Sequence, residues 1–216
     1  NFKLASGQLL DDAVGVMVPV KKAGVTDENC FVIIEHFPSF QRQNESIGEF
    51  ATEKVLDFGL QIATTISRLH RIGLMHGGVA LSNLHFPDAN RVVLGMIAFD
   101  KSLTGVVETK DLSLDEWTYL APEVPDRGIS SASDFYALGV VLYELLLKRK
   151  PIFAESIIDL NKQKITTRLN DADNRLDNLR PLFDQLLHPD PAIRVDNADQ
   201  FHQLLRHCGY EIKLPE

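Results

Sequence analysis

Cysteine is nearly absent: Cys30 and Cys208 are the only two in 216 residues. Two thiols cannot build a disulfide framework or a four-cysteine zinc site, so both are expected to be reduced and buried, in a cytoplasmic setting. Long apolar runs are missing too. The longest candidates are interrupted by Asp100 and Glu144, well short of the roughly 20 apolar residues of a membrane span, so no membrane insertion is expected. Positive charge is in deficit: 22 Lys and Arg face 30 Asp and Glu, for a net charge of −8. That balance argues against a nucleic-acid partner or an anionic lipid surface. The one basic run, Lys148-Arg149-Lys150, reads as a solvated helix end. The single tryptophan, Trp117, is expected to anchor a core or loop, with an exposed partner contact as the alternative. No G-x-G-x-x-G phosphate cradle, internal repeat, low-complexity tract or signal-peptide pattern occurs, and the chain opens at Asn1, so targeting information carried elsewhere is not legible in it.

What is present suits a soluble globular chain. With 44% hydrophobic and 24% charged residues, it has the material for one generous domain or two small ones. Val14, Val16 and Val18 alternate, and Phe31 to Ile34 form a short apolar run, with a polar turn at 26–29 between them. Two antiparallel strands are the natural reading. Ser46 and Glu49 have capping-box spacing, so a short helix is expected there. A longer one runs over 52–70, where Leu56, Leu60, Ala63, Ile66 and Leu69 recur at three- and four-residue steps, widened by Ile62. Gly73 stops it, Leu74 and Met75 are apolar, and a polar loop follows. Residues 91–94 read as a strand, and the segment through Trp117 as polar and irregular. A helix over 133–147, starting at Ser133 or Asp134, is apolar on nearly every face and belongs in a core. Further helices are expected over 155–169, 178–187 and 198–208, with Pro189 and Pro191 breaking the chain between the last two.

The stretch 69–83, Leu-His-Arg-Ile-Gly-Leu-Met-His-Gly-Gly-Val-Ala-Leu-Ser-Asn, carries the most information. Its helix end, apolar pair and polar loop resemble the catalytic loop of the eukaryotic-type protein kinases, H-R-D-L-x-x-x-N, with His76, Val79 and Asn83 in frame. Around it, in order, Glu35-His36-Phe37-Pro38 resembles that family's inter-lobe hinge and Tyr119-Leu120-Ala121-Pro122-Glu123 its A-P-E motif. The helix over 133–147 is similar to its central helix, and His188-Pro189-Asp190-Pro191 through Arg194 completes the set. The resemblance spans about residues 31–210. It implies an α+β, protein-kinase-like fold, with 1–34 as a reduced β N-terminal lobe and 35–216 as a helical C-terminal lobe. Val18-Pro19-Val20-Lys21-Lys22 is faintly similar to the strand-lysine motif but lies too close to Phe31 for the intervening helix.

The resemblance also shows where chemistry should be and is not. The position of the catalytic aspartate holds Gly78, and the neighbouring lysine position holds Ala80. Aligning 92–95 with the strand before D-F-G puts Met96 in place of the magnesium ligand, and a thioether attracts a hard cation poorly. Losing a general base costs about 10²–10⁴ in rate, and losing the metal several kcal/mol more. Asp88 and Asp100 read as solvated loop acids rather than replacements. Asn83 is the one candidate for nucleotide or metal contact, and otherwise a loop-bracing amide. Packing positions are kept. By resemblance His76 and Ile97 stack in the core, Glu123 and Arg194 form a buried ion pair, and Asp134 accepts hydrogen bonds from the backbone near Gly77 and Gly78. Ser102, Thr104, Thr109, Ser113 and Thr118 lie where regulatory phosphorylation falls in active relatives, but Gly77 stands where the receiving arginine would be.

The resulting expectation is a pseudokinase: no catalytic residue, no cofactor, no metal and no enzyme activity. Such a domain scaffolds or allosterically regulates another protein, an active kinase or other enzyme among them, with room for a homo-oligomer. Two alternatives stay open. One is a nucleotide-binding switch without catalysis. The other is an atypical nucleotide-dependent transferase, which needs a basic cleft for which Lys21, Lys22 and Lys101 are the few candidates.

Overall fold

The computed structural model describes residues 20–25, 31–35, 50–95, 112–166 and 173–213. The expected strand at 14–18, helix from Ser46, turn at 26–29 and hinge residues 36–38 lie outside them. Strand β1 (Val20–Val25) pairs antiparallel with β2 (Phe31–Glu35), Val25 facing Phe31 and Ala23 facing Ile33. Among the described residues the partner of β2 is thus Val20–Val25.

Helix α1 (Thr52–Arg71) buries Val55, Leu56, Phe58, Leu60, Ile62, Ala63, Ile66 and Leu69. Its end is chemically specified. Gly73 takes φ +80, its N–H donates to the His70 carbonyl at 3.0 Å, and the Leu74 N–H donates to Leu69 at 3.1 Å. This is a Schellman arrangement, which a residue with a Cβ enters only at a cost. The chain then passes through a 3-10 turn (Leu81–Asn83) into a hairpin of β3 (Leu84–Asp88) and β4 (Arg91–Leu94), with Leu84 facing Leu94. Only β4 was expected. Pro87 conceals β3 from a strand pattern, yet a two-stranded ribbon has open edges on which proline is tolerated.

Helix α2 (Leu114–Tyr119) replaces the irregular segment expected before Tyr119. A capping box starts it: the Glu116 N–H donates to Ser113 Oγ at 3.2 Å, and the Ser113 N–H to Glu116 Oε2 at 2.8 Å. The short α3 (Val124–Arg127) leads to α4 (Ser131–Leu147), of which all but Ser131 and Glu144 are buried. Helix α4 begins two residues before the expected Ser133, because Ser130 caps it and Ser133 closes the box. Then follow α5 (Ile157–Thr166), α6 (Arg180–Leu186) and α7 (Ala198–His207). Helix α4 is the axis: α1, α2 and α6 pack on it, while α1 also carries α7 and β4. Close approach is built in at Gly139, where a Cβ would stand 2.8 Å from Leu186 Cβ. Among the described residues no helix is long and apolar enough to cross a membrane.

Candidate functional site

The loop after α1 is held by one carboxylate. Asp134, in the first turns of α4 and 2% exposed, accepts from the His76 N–H at 2.7 Å and the Gly77 N–H at 2.8 Å. Its Oδ2 also lies 2.8 Å from Nε2 of His70 in the last turn of α1. The bracing expected near Gly77 and Gly78 is thus made at Gly77 and at His76 before it. Gly77 takes φ +67 and turns the chain there, and the Gly78 N–H donates instead to His76 Nδ1 at 3.2 Å. Asn83 Nδ2 donates to the Gly78 carbonyl at 2.7 Å, and its own carbonyl accepts from Gly95 at 2.8 Å. The amide braces the loop, as one of the two readings of Asn83 required.

His76 is fully buried. Burial pushes its imidazole down to about 4 from the ordinary 6.5, against the opposing pull of the Asp134 charge and the Gly95 backbone. Below pH 6.5 the unfolded chain takes up a proton here while the folded chain refuses it until about pH 4. His76 thus removes stability as pH falls through that window, by about 3 kcal/mol once pH 4 is reached. His76→Leu should flatten this part of the profile, as read from urea midpoints at pH 7 and pH 4.5.

Glu123 and Arg194 form the expected buried pair. Arg194 NH1 donates to Oε1 at 2.8 Å and NH2 to Oε2 at 2.5 Å. The guanidinium also donates to the carbonyls of His188 (2.6 Å), Pro189 (3.1 Å) and Ala132 (3.2 Å), and it lies over the Tyr136 ring. It ties the segment after α2 to both α4 and the turn before α7.

Between loop 77–83, α2 and the start of α4 lies a cleft of about 310 Å³. Gly78 and Ala80 line it without offering a functional group. Asp115, Glu116 and Tyr119 line it from α2. Met96, Ile97, Asp100 and Lys101 lie outside the described residues, as do Ser102, Thr104 and Thr109, and so does any test of the roles expected of them. Lys21 and Lys22 fall on β1. Asp88 ends β3 half-exposed and accepts from the Asn90 N–H at 2.8 Å, a surface turn acid as expected. Ser113 is used as a helix cap, and Thr118 is buried and donates to the Leu114 carbonyl at 3.1 Å. Trp117 is buried, an anchor. Among the described residues no group of three or more His, Cys, Asp and Glu is placed to hold a metal ion.

Two lysines that sequence reasoning missed hold the far end of α2. Lys164, 2% exposed on α5, donates to the carbonyls of Trp117 and Leu120, the latter at 2.6 Å. Burial lowers its amine to about 7, against the pull of Glu123. The only hint in the sequence is its four-residue spacing from the buried Leu160. Lys150 was expected in solvent. Instead its ammonium lies 3.7 Å from the Tyr119 ring centroid, 3.0 Å from Asp115 and 3.4 Å from Glu144, which also accepts from the Tyr119 hydroxyl at 2.5 Å. A long aliphatic stem lets such a side chain lie along a protein surface, and α2 supplies the aromatic face that the sequence does not reveal.

Residues 16–208 match the protein kinase domain family. The chain is 28% identical over 157 residues to the serine/threonine-protein kinase PknL of Mycobacterium tuberculosis, covering 70% of this chain and 39% of that protein. It is 24% identical over 178 residues to Protein kinase 3 of Dictyostelium discoideum, covering 78% of this chain and 20% of that one. Against the serine/threonine-protein kinase Nek9 of Xenopus laevis the figures are 30% over 113 residues, 51% and 12%. The chain thus spans two-fifths or less of the length of these relatives. Family and names point to an enzyme of the kinase class, and they overturn the expectation that the chain is no enzyme. That expectation rested on single loop positions, whereas the match extends over nearly the whole chain.

Proposed function

Since this chain belongs to the protein kinase domain family and has a protein-kinase-like fold, we propose that its helical part works as a scaffold or allosteric regulator, holding a protein partner against the cleft beside Gly78. A division into lobes at 1–34 and 35–216 and a cytoplasmic setting belong to the same reading. The net charge of −8 favours a protein over a nucleic acid as partner.

One contrast carries the proposal. Asp134, Asn83 and His76 hold the loop backbone by hydrogen bonds of 2.7–3.2 Å. Two of the loop residues that line the cleft, Gly78 and Ala80, can neither take up a proton nor neutralise a phosphate. At those two positions the braced loop offers only its shape. The relatives' names point to phosphoryl transfer. On this proposal such transfer runs without a carboxylate at position 78, about 10²–10⁴ below the roughly 1–100 s⁻¹ of kinases.

The test is radiolabelled transfer from ATP, with magnesium or manganese, to a mixed protein substrate. Gly78→Asp is measured alongside; Gly78 is not among the positive-φ glycines, so its backbone accepts a side chain. Slow turnover, raised at least tenfold by the aspartate, supports the reading. Turnover of 1–100 s⁻¹ in the unaltered chain would sink it.

A further inference from the structure

The seam where α5 packs on α2 is sparsely satisfied. Lys164, buried on the inner face of α5, donates to the carbonyls of Trp117 and Leu120, the latter at 2.6 Å. One turn earlier on α5, the side-chain oxygen of Asn161 is buried without a hydrogen-bond partner, and so is the indole N–H of Trp117 on α2. Each such orphaned group costs stability, and interfaces of this kind open before a well-paired core does.

Lys164 has no carboxylate of its own. The acid whose field reaches it is Glu123, and both oxygens of Glu123 are taken by Arg194. From α4 it meets the ring of Tyr136, 5.9 Å away, which Arg194 also covers at 5.1 Å. Burial holds the Tyr136 hydroxyl well above its ordinary range, so that ring carries no charge near neutrality. The other acids are engaged elsewhere: Asp115 with Lys150, Glu116 with Ser113, and Glu144 of α4 with Tyr119. On α5 itself Asp159 accepts from Ser156, and Lys162 is exposed. An ammonium buried without a counter-ion gains either by losing its proton or by reaching water.

We propose that the α2–α5 seam is a proton-sensitive joint, in which protonation of Lys164 favours a state with the seam open and the ammonium in water. In the open state the amine keeps its proton up to its ordinary 10.5, whereas burial in the closed state brings it down to about 7. Between those values the open state binds a proton that the closed state refuses, so acidification favours opening. Below about 7 both states are charged and the effect is spent. Because Asp115, Glu116 and Tyr119 of α2 line the cleft, opening the seam loosens that wall.

Amide hydrogen exchange of the full chain at pH 7 and pH 8.5, corrected for the intrinsic pH dependence of exchange, tests this. Burial keeps Tyr119, Tyr136 and Cys208 above that window and His76 below it. The amides of Trp117 and Leu120, which donate to the Ser113 and Trp117 carbonyls, report on α2. Their opening constant should exceed that of the α4 amides and rise at least fivefold from pH 8.5 to pH 7, toward the tenfold per pH unit of a single proton. Lys164→Met should abolish this dependence. Lys164→Arg, which keeps its charge throughout, should open the seam equally at both pH values. A flat profile in the unaltered chain overturns the proposal, as does a slope that survives in Lys164→Met. Exchange of the α2 amides only together with those of α4, in global unfolding, overturns it too. Measured without nucleotide, the outcome is independent of the phosphoryl-transfer reading.

Discussion

Replacing Arg194 with methionine is expected to lower the unfolding free energy by about 3–5 kcal/mol, because removing one partner of a buried ion pair strands the other. Glu123 would remain 8% exposed with no cation opposite it. Three main-chain carbonyls, at His188, Pro189 and Ala132, would lose their donor as well. A domain stable by about 5–15 kcal/mol would be left marginal. Urea unfolding at pH 7 reads the effect directly. The double variant Arg194→Met with Glu123→Met should recover most of the loss, since two apolar residues of similar volume replace a buried pair at little cost. Arg194→Lys should not, because an ammonium cannot form the two-pronged contact. Equal stability of the single and double variants would show that the pair carries no such weight.

Asp134→Ala should cost about 3–9 kcal/mol, since each of three buried donors left without an acceptor costs about 1–3 kcal/mol. The donors are the backbone N–H groups of His76 and Gly77 and the imidazole of His70. Asp134→Asn keeps one carbonyl oxygen but turns an amide NH₂ toward a donor, so about half the loss is expected. Amide hydrogen exchange separates the loop from the rest of the molecule. The amides of His76 and Gly77 should both lose protection in Asp134→Ala and one of the two in Asp134→Asn, while those of α6 should change only with global stability. Retained protection at residues 76 and 77 in Asp134→Ala would mean that the loop is held by something other than this carboxylate.

Much of the helical framework was legible because local chemistry writes it. The stripe of Leu56, Leu60, Ala63, Ile66 and Leu69 and the stop at Gly73 marked α1 to within a residue of its end. The all-round apolar run marked α4 as the core helix. Pairing Glu123 with Arg194, 71 residues away, could not come from periodicity. It came from the order of motifs that resemblance recognised. Short elements escaped for the opposite reason. The six residues of α2 show no period, and only the Ser113 and Glu116 cap could have given it away. Strand β3 carries a proline that argues against a strand unless its edge is known to be free.

By itself the sequence determined which residues are available at the cleft: glycine at 78, alanine at 80, no aspartate in either place, and the apolar faces that choose the core. Those are properties of side chains and of spacing along one strand of covalent bonds. The tertiary structure alone decided that Lys164 is buried under α2, that Lys150 lies on Tyr119 rather than in water, and that Ile158 and Ile165 face outward while Leu160 faces in. A lysine's position is set by whichever carbonyl, carboxylate or ring a distant segment brings within reach of its stem. That meeting is an outcome of packing, and no local pattern encodes it.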